Sequence, residues 1–271
     1  MNYSVLMSVY YKEKPEYLRQ SMNSILNQSV PTDDFVLVCD GPLTEELDAV
    51  IESMQREYPD ILHVVRLEKN AGLGNALNTG IKFCKNDIVA RMDSDDIAHP
   101  DRCERQLTVF EQNPEIGMVS GIVEEFTNDP SIVDARRVPP EKHEDILEFA
   151  KKRNPFNHPC MMFKKTEVEK AGGYQELFLL EDYFLWVRML LHGTRGYNLQ
   201  EPLLWMRAGE GMYRRRSGWK YACAQMKLFS FMKENGVIGK KECLISCIVR
   251  IGSSLAPNWL RKKMFAWKLR N

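Results

Sequence analysis

Three carboxylates, Asp93, Asp95 and Asp96, fall within four positions of the stretch RMDSDDIAHPDR, directly after the apolar run DIVARM. Like charges this close repel one another, so water, a calcium ion or a divalent metal carrying phosphates must compensate them. The plainest arrangement is a solvated turn with Asp96 as a helix N-cap. An EF-hand counted from Asp93 would find its acids at Asp93, Asp95 and Glu104. Its central positions are Ile97 and Ala98, where an oxygen ligand and a glycine are required, and Pro100 interrupts the loop. Calcium is excluded on that pattern. Beside the solvated turn there is one other arrangement: two carboxylates hold Mg²⁺ or Mn²⁺ and leave part of its shell to phosphate oxygens.

The acids need strands to place them. YSVLMSVY (3–10), DFVLVCD (34–40), ILHVVRL (61–67), DIVARMD (87–93) and EIGMVSGIVEEF (115–126) read as apolar, β-rich runs. Between them lie helical patterns at 14–28, 43–58, 72–84 and 100–113, with Pro15 suited to a first turn and Thr44 to an N-cap. This alternation predicts an α/β fold with a mostly parallel sheet flanked by helices on both faces. Ligands bind at the carboxyl ends of such strands. Asp40 ends the second strand, and Asp93 and Asp95 follow the fourth. From about 127 the alternation stops, and TNDPSIVDARRVPPEKHED reads as a mobile connection. A helix at 142–151, a strand at 160–165, a helix at 179–193 with Leu180, Phe184, Val187 and Leu191 as its buried stripe, and a last strand at 202–207 follow.

The segments SVLMSVYYKEKPEYLRQSMNSILNQS, VLVCDGP, LEKNAGLGNALNTGI, ARMDSDDIAHPDR and LLEDYFLW stand in the order and spacing of a family 2 glycosyltransferase, and the chain resembles that family over about residues 3–207. The resemblance implies a GT-A fold and inverting transfer of a sugar from a nucleotide-diphosphate donor, with capsule, exopolysaccharide and O-antigen enzymes as the most similar subgroup. It divides the chain into a catalytic domain at 1–210, with halves at 1–125 and 126–210, and a basic helical extension at 211–271. Asp40 would bind the nucleotide base, with capping of GPLTEE as the alternative. Tyr10 and Tyr11 would line the same pocket, one of them as core. Asn70 and Gly72 would lie near base and ribose, although a tight turn also explains the glycines. Asp93 would meet the ribose and the metal, Asp95 would be the direct metal ligand, and Asp96 would cap a helix or orient its neighbours. Asp182 would be the general base and Glu181 an acceptor contact, a plain helix cap being the alternative. Trp186 fits either an acceptor platform or the core.

Two departures bear on this. No histidine stands in WMRAGEGMYRRR to serve as a third metal ligand, so water completes the shell, His158 approaches it, or His158 packs beside the acceptor or caps a turn before Pro159. The Q-x-x-R-W pattern of processive relatives is missing, which predicts one sugar per encounter. A sugar-phosphate nucleotidyltransferase would need a glycine-rich loop after the first strand, and SVYYKEKPEY has none. A non-catalytic nucleotide-sugar-binding protein of this fold would be expected to lose Asp95 or Asp182, and both are present.

The net charge of zero hides an asymmetry, since residues 211–271 hold fourteen Lys/Arg against two Glu. Arg214, Arg215 and Arg216 read either as diphosphate contacts or as part of a membrane-facing patch. Farther on, Trp259, Phe265 and Trp267 interleave with basic residues. That pattern suits an anionic membrane surface, and no nucleic-acid motif accompanies it. Seven scattered cysteines without a CxxC pair read as reduced thiols. With no recognisable signal peptide and no apolar run near the length of a membrane span, the expected location is cytoplasmic, peripheral on the inner face of the membrane.

Overall fold

The computed structural model describes residues 1–208 and 218–255. Strands β1 (Ser4–Val9), β2 (Asp34–Cys39), β3 (Leu62–Arg66) and β4 (Ile88–Asp93) lie parallel in the order β3-β2-β1-β4. Every residue of β2 is buried, because helices cover both faces. Successive strand side chains point to opposite faces. Val5, Met7, Phe35 and Leu37 pack against α1 (Pro15–Leu26) and α2 (Glu45–Glu57), whose apolar faces repeat at helical spacing. Leu6, Val36 and Val38 turn the other way, onto Ala76, Leu77 and Ile81 of α3 (Leu73–Ile81). Pro15 opens α1, and the Thr44 hydroxyl accepts from the Leu47 amide at the start of α2, as expected.

Beyond β4 the sheet changes character. After β5 (Ile97–Ala98) and α4 (Arg102–Gln112) comes the eleven-residue, fully buried β6 (Ile116–Phe126). It does not lie beside β4, as simple alternation predicts. The antiparallel β8 (Met162–Lys164) inserts between them. The last strand, β9 (Arg195–Arg207), starts seven residues before the expected 202 and runs parallel to β6. Its ladder slips where Leu199 faces Gly121 and Pro202 faces Ile122, so Gln200 and Glu201 bulge out. A proline lacks the N–H for a regular rung, which is why the pattern looked broken there.

The segment expected to be a mobile connection contains β7 (Ala135–Arg137), paired with the end of β6. Arg136 and Arg137 bridge the buried Glu124 and Glu125, so a strand with two acids stays closed. Helices α5 (His143–Ala150), α6 (Lys165–Lys170) and α7 (Glu181–Leu191) complete this half. The expected stripe of α7 is corrected: Leu191 is exposed, and the helix is buried on two sides. Leu185, Trp186 and Met189 face the sheet, whereas Tyr183 and Val187 meet Leu228, Phe229 and Met232 of α8 (Trp219–Glu234). Helix α9 (Lys240–Leu255) lies against α8. All seven cysteines are unpaired.

Candidate active site

At the carboxyl end of β2, Asp40 is buried and its carboxylate accepts the Ala71 amide at 2.6 Å and the Gly72 amide at 3.1 Å. The Asn70 side chain donates to the Asp40 carbonyl at 3.1 Å. Asp40, Asn70 and Gly72 are thus one unit, an acid clasping the loop that opens α3. Capping of the following helix falls to Thr44 instead. Gly41 makes the clasp feasible: its φ is +87°, and a Cβ there would stand 2.5 Å from the Asn70 nitrogen. Tyr10 and Tyr11 follow β1 with rings 5.8 Å apart, edge to face. Both are exposed, which corrects the expectation that one is core.

Asp93 ends β4, and oxygens of Asp93, Asp95 and Asp96 all lie within 4.8 Å of one another. Arg91, almost wholly buried, pairs with Asp93. Burial, and then the charge of Asp93, pushes the Asp95 carboxyl up to about 7. Asp96 is raised well above its ordinary value by burial and by Asp95. Its Oδ1 accepts the Arg207 amide at 2.9 Å, and its Oδ2 has no hydrogen-bond partner. Asp96 therefore does not cap α4. It is tied to β9 and stands with the other two acids. Three converging carboxylates, Asp95 and Asp96 among them desolvated and Asp96 with one bare oxygen, form an oxygen donor set that fits a hard divalent cation.

Arg207, at the end of β9, holds this turn from outside. Its Nε donates to the Asp95 carbonyl at 3.1 Å, an Nη to Gln20 at 2.9 Å, and its guanidinium lies 3.7 Å above the Tyr17 ring. His158 is elsewhere. Its Nε2 meets the Tyr174 hydroxyl at 2.9 Å and its ring packs on Trp186, and it does not join the cluster of the three acids. Burial holds its pKa well below the usual imidazole range. Trp186 is core.

The second acidic pair opens α7. Leu179, just before it, has φ +58°, an uncommon conformation for a branched residue, and its amide donates to Glu181 Oε1 at 3.3 Å. Burial raises the Glu181 carboxyl. Asn154 donates to Asp182 Oδ2 at 2.7 Å, its own carbonyl oxygen held by the Phe156 amide at 3.3 Å. Tyr174 joins the two ends of the site. Its backbone is clasped on both sides by the Asn78 amide, and its buried phenol feels both Asp93 and Asp182.

Sequence reasoning missed Arg91, Asn154, Tyr174 and Asn78. Asn154, Tyr174 and Asn78 act by contact with distant segments, and nothing in their local pattern marks them, whereas Arg91 stands two residues before Asp93 as a charge inside an apolar strand. Arg214 and Arg215 lie outside the described residues, as do Arg216, Trp259, Phe265 and Trp267.

A half-parallel sheet with an acidic turn at its central edge and a second acidic pair across Tyr174 is the GT-A architecture of sugar-transferring enzymes. The chain belongs to glycosyl transferase family 2, whose family model matches residues 4–172. It is 41% identical to the amylovoran biosynthesis glycosyltransferase AmsE of Erwinia amylovora over 92% of this chain and 94% of that one. It is 39% identical to an Escherichia coli UDP-Gal:alpha-D-GlcNAc-diphosphoundecaprenol beta-1,3-galactosyltransferase over 96% of this chain and 93% of that one. In fold it resembles the mannosyltransferase PcManGT of Pyrobaculum calidifontis, solved with GDP-Man and Mn²⁺, with a TM-score of 0.66 at 15% identity over 100% of this chain and 81% of that one.

Proposed function

We propose that this glycosyltransferase moves one sugar, with inversion, from a nucleotide-diphosphate donor to a lipid-linked saccharide during synthesis of a bacterial surface polysaccharide. The observation that carries the reading is the trio Asp93, Asp95 and Asp96 at the carboxyl end of β4, together with Asp182 held by Asn154 at the first turn of α7. A UDP-sugar is the favoured donor, supported by the 39% identity to a relative named for UDP-Gal and a diphosphoundecaprenol acceptor. The similarity to an amylovoran enzyme supports the polysaccharide setting.

Asp93, Asp95 and Asp96 would hold Mn²⁺ or Mg²⁺, which supplies counter-charge for a diphosphate. Tyr10 and the Asp40–Asn70–Gly72 loop bind the nucleotide. Glu181 contacts the acceptor. The acceptor oxygen attacks the anomeric carbon opposite the diphosphate, and Asp182 takes the hydroxyl proton as the new C–O bond forms. The old anomeric C–O bond breaks, and its electron pair leaves with the nucleoside diphosphate.

The test is transfer by the full chain from UDP-galactose, with Mn²⁺, to a synthetic N-acetylglucosaminyl-diphospho-lipid, with the new linkage read by NMR. A β linkage from the α-linked donor is expected. An α linkage would refute inversion, and no transfer from any UDP- or GDP-sugar would refute the donor class.

A further inference from the structure

Helix α9 has two unlike faces. Cys243 and Cys247 join the apolar cluster formed with α7 and α8. On the other side Leu244 is 62% exposed, Ile245 52%, Ile248 62% and Val249 46%. Positions 244 and 248, and 245 and 249, are one turn apart, so the four form a continuous apolar strip. Among the described residues nothing covers it, and such a strip is costly to leave in water. Lys240 and Lys241 stand exposed at the start of the helix, while Glu242 turns back to the Gly239 amide at 2.7 Å.

Charge decides what fits the strip. Residues 256–271, immediately after the helix, contain five Lys/Arg and no acid. A second copy docking face to face would bring two such cationic segments together, whereas an anionic lipid surface neutralises them. The helix is too short and too polar on its other side to cross a bilayer; among the described residues no helix qualifies as a span. An amphipathic helix with basic flanks instead lies in the plane of the lipid interface.

Its position matters as much as its composition. Arg250, at the far end of α9, donates to the Lys152 carbonyl. Lys152 is two residues before Asn154, the residue that holds Asp182. Arg153 feels the Arg250 charge, so the basic residues of both segments converge next to Asn154.

We propose that the α9 strip of Leu244, Ile245, Ile248 and Val249 docks in the interface of an anionic membrane and, through Arg250 and Lys152, sets Asp182 at the height of a saccharide carried on a lipid diphosphate. The purpose assigned to the docking rests on the lipid-linked acceptor proposed above; the docking itself does not.

The experiment is co-sedimentation of the full chain with vesicles of phosphatidylcholine alone or with phosphatidylglycerol, alongside calorimetric titration with UDP and Mn²⁺. Wild type should pellet with the anionic vesicles, less so at high salt. Leu244→Gln/Ile248→Gln should lose at least about tenfold in vesicle partition, since two aliphatic chains no longer enter the interface, with UDP binding unchanged. Undiminished vesicle binding by the double variant would overturn the proposal. So would a wild-type dimer, seen by analytical ultracentrifugation, that dissociates in the variant while vesicle binding persists. A wild type that binds UDP and Mn²⁺ but no vesicles would overturn the docking and leave the donor reading standing. One that pellets but binds no nucleotide would refute the donor reading and leave the docking standing.

Discussion

Asn154 donates a 2.7 Å hydrogen bond to Asp182, from a loop 28 residues away in sequence. The amide cannot flip without losing the bond from the Phe156 amide to its own carbonyl oxygen. Asp182 is therefore held in one orientation at the first turn of α7, as a group that must receive a proton along a fixed line requires.

Replacing Asp182, the proposed base, should separate chemistry from binding. Asp182→Asn is expected to lower kcat by about 10²–10⁴, with nucleotide affinity nearly unchanged. Asn154→Ala should lose less, about tenfold, because the carboxylate survives but is no longer aimed. Steady-state kinetics with calorimetry of UDP binding checks both. A large loss of nucleotide affinity in Asp182→Asn would contradict the assignment.

The clasp between Asp40 and the 70–72 loop depends on Gly41. Gly41→Ala should cost about 1–3 kcal/mol of stability, because its Cβ would meet backbone at a positive φ. It should also weaken nucleotide binding, since the Asn70 amide must move. Gly72→Ala has a similar φ of +86° but nothing within 4 Å of its Cβ. With ψ 155° as well, it should cost the strain of that conformation alone, about 1–2 kcal/mol and less than Gly41→Ala. Chemical denaturation of both variants measures the difference, and equal losses would contradict the close approach at Gly41.

Burial raises the Glu181 carboxyl above its ordinary value of 4.5. The folded state then holds this proton more tightly than the unfolded one. The contribution is stabilising below the unfolded pKa and is lost as pH rises through the folded pKa. Glu181→Gln carries no such charge, so it should be more stable than wild type at pH 8, the gap closing toward pH 4. Melting temperatures across that range decide it. A wild type more stable than the variant at pH 8 would contradict the burial argument.

Arg207 meets the acidic turn through its own amide, which donates to Asp96, and through the Asp95 carbonyl, and its charge is felt by the Asp95 carboxyl. Arg207→Met keeps the amide that binds Asp96 but removes the guanidinium. Apparent Mn²⁺ affinity, read from metal titration of nucleotide binding, should fall about tenfold, while kcat at saturating metal stays within a few-fold. Unchanged metal affinity would show that the turn holds itself.

The parallel half of the fold was legible because its strands are continuous apolar runs and its helices keep a clean face. Asp40, Asp93 and Asp95 could be placed at strand ends from that pattern alone. The strand at β8 was legible, but its antiparallel insertion between β4 and β6, the early start of β9, and β7 were not. Their pairing is long-range, and Pro202 and the buried Glu124 and Glu125 hide the strand signal until Arg136 and Arg137 are seen opposite. Asp96 looked like a cap because the sequence shows a helix following it, but not Arg207, 111 residues away. Tyr174 and Asn154 carry no motif and matter only through what they touch.

The acidic turn is proposed as a metal-dependent nucleotide site, and the first experiment is calorimetry of UDP and GDP with and without Mn²⁺ on wild type and Asp95→Asn. Nucleotide binding should require Mn²⁺ and be lost in Asp95→Asn. Tight binding indifferent to both metal and substitution would contradict the proposal.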